Sequence, residues 1–108
     1  MSRRSDQVSG IIRRIVAYHT LEIPPDIAKV VNVTRVTVTP DLRYADVFLT
    51  ALAGVENAVI YMNKRRSEIR ADLGGELKAL HTIPFVRLHV DRQSEELRRL
   101  DEILKRLL

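Results

Sequence analysis

VVNVTRVTVT (30–39) and YADVFLTAL (44–52), joined by Pro40-Asp41-Leu42-Arg43, form the stretch that decides the architecture. Valine, threonine and phenylalanine suit a pleated, half-buried surface, and Ala45, Val47, Leu49 and Ala51 repeat with a period of two. Pro40 presets a turn, and Asp41 behind it hydrogen-bonds turn backbone, so an antiparallel hairpin is predicted. Within the first strand Val31 and Val33 share one parity and Val36 and Val38 the other. A bulge near Thr34-Arg35 reconciles the two pairs, because one extra residue returns the later side chains to the same face.

Helical periodicity lies on both sides of the hairpin. Val8, Ile11, Ile12, Ile15 and Val16 form a core-facing stripe, with Ser5 as the predicted N-cap and Arg13 and Arg14 pointing away. Pro24-Pro25 closes that segment. After the hairpin, Val55, Val59, Met62, Ile69, Leu73, Leu77 and Leu80 follow a second stripe. An unbroken helix from Glu56 to Ala79 would be about 36 Å long, more than the roughly 30 Å diameter of a small domain. A break is therefore expected, either at Arg65-Arg66-Ser67, where the stripe is interrupted, or at Gly74-Gly75. Pro84 opens a third strand in which Val86, Leu88 and Val90 alternate with Phe85, Arg87 and His89. A last helix after Ser94 carries Leu97, Leu100, Leu104 and Leu107 on one side, and this stripe is expected to pack into the core. The predicted order is α-β-β-α-(kink)-α-β-α, an α+β fold over residues 1–108 with a three-stranded sheet packed against helices on one face.

Composition narrows the function classes. The 108 residues contain no cysteine, which removes disulfides and thiolate metal sites, and the N-terminus MSRRSDQ lacks the apolar stretch of a signal peptide. A cytoplasmic protein without a membrane span is expected. His19, His81 and His89 are scattered, with no carboxylate or second histidine at ligand spacing, and a structural role is expected for each. Phosphate loop, dinucleotide fingerprint and nucleophile elbow are all absent, so no catalytic residue, metal or cofactor is predicted.

The net charge of +4 points to an anionic partner, and its distribution is more informative than its size. From Asp91 onward five acids balance five bases, so the basic excess lies entirely before it. Fourteen arginines against four lysines suit bidentate phosphate contacts. Arg3, Arg4, Arg13 and Arg14 cluster on the first helix, and Lys64, Arg65, Arg66 and Arg70 on the second, with Lys78 beyond them. Helix turns spaced in this way can follow a phosphate backbone, so these nine residues are the predicted RNA contacts.

The order of elements, with a basic broken helix pair, resembles a type II KH domain. More narrowly, the chain resembles the ribosome-binding factor A family, bacterial assembly factors of the small ribosomal subunit. The resemblance runs from the arginine-flanked first helix through Val33-Thr34-Arg35-Val36, Thr39-Pro40-Asp41-Leu42 and Tyr44-Ala45-Asp46-Val47-Phe48-Leu49 to Glu68-Ile69-Arg70 and Ile83-Pro84 through Asp91. It implies a non-catalytic monomer that binds free or immature small subunits and supports late rRNA processing, without a small-molecule substrate. Where that family has an Ala-x-Gly kink, this chain reads Arg65-Arg66-Ser67. Without the C-terminal extension that many members carry, which is not expected after Leu108, functions resting on it are not carried over. The alternative from another class is a small protein-interaction module that uses the amphipathic sheet face or the C-terminal leucine stripe.

Overall fold

The computed structural model describes residues 3–78 and 83–108, and the expectations for Leu80 and His81 lie outside them. Helix α1 (Arg3–Thr20) is followed by β1 (Lys29–Val38) and β2 (Tyr44–Ala53), helices α2 (Val55–Lys64) and α3 (Arg66–Glu76), β3 (Phe85–Val90) and α4 (Arg92–Leu107). The sheet order is β1-β2-β3, with β1 antiparallel and β3 parallel to β2. This is the type II KH-like arrangement.

The hairpin forms as its residues dictate. Asp41 accepts hydrogen bonds from the Thr39 hydroxyl (2.7 Å) and the Arg43 backbone N–H (3.1 Å). Those two bonds, with the Arg43 charge nearby, hold its carboxyl below the ordinary aspartate range. Pairing proceeds Val31↔Ala51 and Val33↔Leu49, then slips so that Arg35 faces Phe48 and Val36 faces Val47. The bulge is thus at Thr34, and all four valines share the face of Ala45, Val47 and Leu49. The Thr34 hydroxyl donates to Asp91 (2.5 Å), with the Phe48 carbonyl 3.2 Å from the same oxygen.

That face is the core. Val8, Ile12 and Val16 of α1, Ala58 and Met62 of α2, and Ile69 and Leu73 of α3 are buried against it. Each large aliphatic side chain so buried contributes roughly 1.5–3 kcal/mol. Helix α1 starts earlier than expected, at Arg3, so Ser5 does not precede the helix as a cap. Ser5 lies one turn before Val8 on the same stripe and is itself buried.

Gly54 makes the link from β2 to α2 possible. Its φ of 77° lies in the left-handed region, and a Cβ there would come within 2.4 Å of the Ile27 carbonyl oxygen. Only glycine meets both conditions without displacement.

The C-terminal helix corrects an expectation. Asp91 caps it, accepting from the Ser94 N–H at 3.2 Å, and its early turns are tied down by Thr50 to Glu95, Arg92 to Glu56 and Arg98 to the Ala51 carbonyl. Despite those ties the leucines find no core: Leu100 is 52% exposed, and Leu97, Leu104 and Leu107 are also exposed. Helices α1, α2 and α3 already cover the apolar sheet face, and α4 leaves the end of β3 with nothing left to pack on. The projection shows in the radius of gyration, 15.2 Å against about 13 Å expected for a compact chain of this length.

Candidate nucleic-acid interface

Met62 and Ile69 are both fully buried and seven residues apart. In a continuous helix the positions between them on the same stripe would be Arg65 and Arg66, and two buried guanidiniums would cost several kcal/mol each. The chain breaks there instead. Lys64 ends α2, Arg65 adopts φ −103° and ψ 18°, and α3 starts at Arg66. Gly74 and Gly75 stay helical in the last turn of α3, so the break is at the interrupted stripe.

Breaking the helix leaves both arginines half-buried and stacked on rings. Arg65 lies 4.6 Å over Tyr61 and pairs with Glu68 at 3.1 Å. Arg66 lies 4.9 Å over Phe85 of β3 and donates to the Asn63 side chain at 3.0 Å. Its Nε is buried without a hydrogen-bond partner. Arg66, Ser67 and Arg70 on one side, and Pro84, Phe85 and Val86 on the other, line a groove of about 290 Å³ between α3 and β3. Its apolar floor and guanidinium rim suit an unpaired base with its phosphate, since rings and guanidinium planes stack bases while charge holds the backbone.

The predicted contacts divide into separate sets. Arg66 and Arg70 line the groove, and Arg65 sits at the break, one residue after the exposed Lys64. Lys78 is exposed past the C-terminal end of α3, a helix that spans about 15 Å from Arg66 to Glu76. On α1, Arg13 donates to the carbonyls of Val33 (3.1 Å) and Thr34 (2.9 Å), satisfying backbone acceptors at the bulge. Arg14 pairs with Glu76 of α3 at 3.2 Å. Arg4 is exposed in the first turn of α1, where the Arg3 backbone begins the helix. Arg13 and Arg14 are therefore turned towards β1 and α3, away from the groove.

Two of the histidines, His19 and His89, acquire partners that spacing could not reveal. His19 is buried and meets Asp72 at 2.6 Å, and one of its nitrogens lies within 4.8 Å of carboxylate oxygens of Glu22 and Glu68. Glu68 is already bound to Arg65 and His19 to Asp72, so protein contacts account for the cluster. His89 meets Asp46 at 2.7 Å, and Arg87 makes two bonds to the same carboxylate, at 2.8 and 2.9 Å. Burial works to raise the Asp46 carboxyl, but Arg87 and His89 outweigh it and hold it below its ordinary value. No helix among the described residues is long and apolar enough to cross a membrane.

Compared with known proteins, residues 3–104 match the sequence profile described as Ribosome-binding factor A. The chain belongs to that family. A ribosome-binding factor A of Azoarcus sp. (strain BH72) is 31% identical over 106 residues, spanning 95% of this chain and 83% of that protein. One from Sinorhizobium medicae is 27% identical over 107 residues, covering 97% and 80%. Among solved structures, the crystal structure of the Thermus thermophilus factor superposes with a TM-score of 0.70 at 15% identity, over 82% of this chain and 96% of that one. A Thermus thermophilus homology model fitted into a cryo-EM map of a 30S complex gives a TM-score of 0.64 at 15% identity, covering 75% and 88%. At such identities the likeness establishes the fold.

Proposed function

We infer that this protein is a non-catalytic assembly factor that binds the small ribosomal subunit in the cytoplasm and supports late maturation of its rRNA. The observation that carries this reading is the basic groove opened beside β3 by the break at Arg65, in a chain of a ribosome-binding family. The Thermus relative fitted into a 30S complex points to the same partner. Lys64, Arg65, Arg66 and Arg70 supply the charge at the groove, with Arg3, Arg4 and Lys78 as contacts further along the chain. Arg13 and Arg14 are mainly occupied by the bulge and by Glu76. Preferring one rRNA conformation over another shifts a precursor population towards the favoured state, and that requires no bond chemistry.

Titrating purified small subunits at three ionic strengths tests the reading. Log affinity should fall linearly with log salt, by about 0.7 to 0.9 for each phosphate neutralised. Arg66→Glu with Arg70→Glu should weaken binding and flatten the slope. A salt-independent complex, unchanged in that double variant, would overturn it. Such a result would favour a second reading, a protein contact through the exposed leucines of α4.

A further inference from the structure

The sheet face opposite the core is not bare polar surface. Cross-strand pairing sets Tyr44 beside Phe85, Asp46 beside Arg87, and Phe48 between Arg35 and His89. These side chains touch in series. Arg35 lies 4.1 Å over Phe48, Phe48 stacks on His89 with centroids 5.1 Å apart, and His89 and Arg87 share Asp46. Arg87 in turn lies 4.5 Å over Tyr44, which meets Phe85 edge-on at 6.4 Å. Phe85 carries Arg66 and lines the groove, so the series joins the groove at the edge of the sheet.

We propose that single-stranded RNA held in the α3/β3 groove continues around Phe85 onto this open face, which stacks unpaired bases on Tyr44 and on the guanidinium planes of Arg87 and Arg35. The proposal rests on the RNA-binding reading of the groove. Three features select this ligand. Tyr44 and Phe85 are each 42% exposed, large for rings on a sheet, and α4 leaves them uncovered. Arg35, Arg66 and Arg87 outnumber the one carboxylate in the series, Asp46, whose bonds to Arg87 and His89 hold those groups in position. Guanidiniums lie over rings at three points of the series, Arg35 on Phe48, Arg87 on Tyr44 and Arg66 on Phe85, which suits bases with phosphates between them better than an apolar protein surface. A duplex does not fit, because its bases are already stacked on each other. Phe48 and Tyr44, four residues apart on β2, mark stations about 13 Å apart along the strand.

Fluorescence anisotropy with labelled single-stranded oligoribonucleotides of four and nine residues, on the full chain, tests this. A KH groove clamps about four nucleotides, so the short strand reports on the groove alone. Tyr44→Leu with Arg35→Gln should weaken the nine-residue strand about tenfold and leave the four-residue strand unchanged. Tyr44→Phe, which keeps the ring, should retain binding. Arg66→Glu should weaken both strands. Equal affinity of the double variant and the parent for the longer strand would overturn the open-face path while the groove reading stands. Failure of the parent to bind either strand would overturn both. Thermal melts establish that each variant is folded, and Tyr44→Leu alone replaces the double variant if that one melts early.

Discussion

Helices α3 and α4 both carry apolar stripes, the one on α4 the clearer, and meet opposite fates. Leu73 of α3 is fully buried, whereas Leu100 of α4 is 52% exposed. The break at Arg65 aims α3 at the apolar face of the sheet, while α4 leaves β3 after that face has been filled. Periodicity identifies which side of a helix is apolar; where the topology places that side relative to the sheet decides whether anything covers it.

The sharpest way to break this contrast is a pair of truncations. Leu73→Ala should cost about 2–5 kcal/mol, and Leu100→Ala less than about 0.5 kcal/mol, in denaturant melts of the isolated protein. Equal losses would mean that α4 folds back onto the body in solution. Next in size is Gly54→Ala, whose Cβ would meet the Ile27 carbonyl oxygen at 2.4 Å. The substitution should destabilise by about 1–3 kcal/mol, read from the same melts, through a residue outside both stripes.

Asp91 joins the two regions, because it caps α4 and accepts from Thr34 at the bulge. Asp91→Asn keeps a capping oxygen but takes the charge out of these bonds, and should cost about 1 kcal/mol at neutral pH. The Thr34 hydroxyl and then Ser94 hold this carboxyl below its ordinary value, so the folded state binds its proton less readily than the unfolded state. Its stabilisation is therefore present above the unfolded pKa of about 4 and is lost as pH falls through the lower folded value. Melts of parent and variant should converge as the pH drops below about 4; a constant gap would mean that the charge of Asp91 contributes nothing. The smallest effect belongs to Arg14, whose exposed pair with Glu76 predicts that Arg14→Ala changes stability by less than about 0.5 kcal/mol. In subunit binding it should matter less than Arg70→Ala, and the reverse order would shift the RNA surface onto α1.

Much of this is legible in the sequence. The turn chemistry of Pro40-Asp41, the parity change between Val33 and Val36, and the interrupted stripe at Arg65-Arg66 are local signals, and they appear as the hairpin, the bulge and one of the two expected breaks. The groove was half legible. Arg66 and Arg70 stood out as a basic cluster, but Phe85 looked only like one residue of an amphipathic strand. Arg13 read as a free surface cation, and its actual acceptors are carbonyls 20 and 21 residues away.

The sequence by itself determined the elements, their order and the family, because short-range backbone preferences and apolar periods act within a few residues. Tertiary structure alone decided which charges are spent and which are open. Asp46 gathers Arg87 and His89 from 41 and 43 residues away, Arg66 comes to rest on Phe85, and the leucines of α4 stay in water. Those outcomes depend on parallel pairing of β3 with β2 and on how much apolar sheet the first three helices leave, and neither quantity exists until the chain has closed on itself.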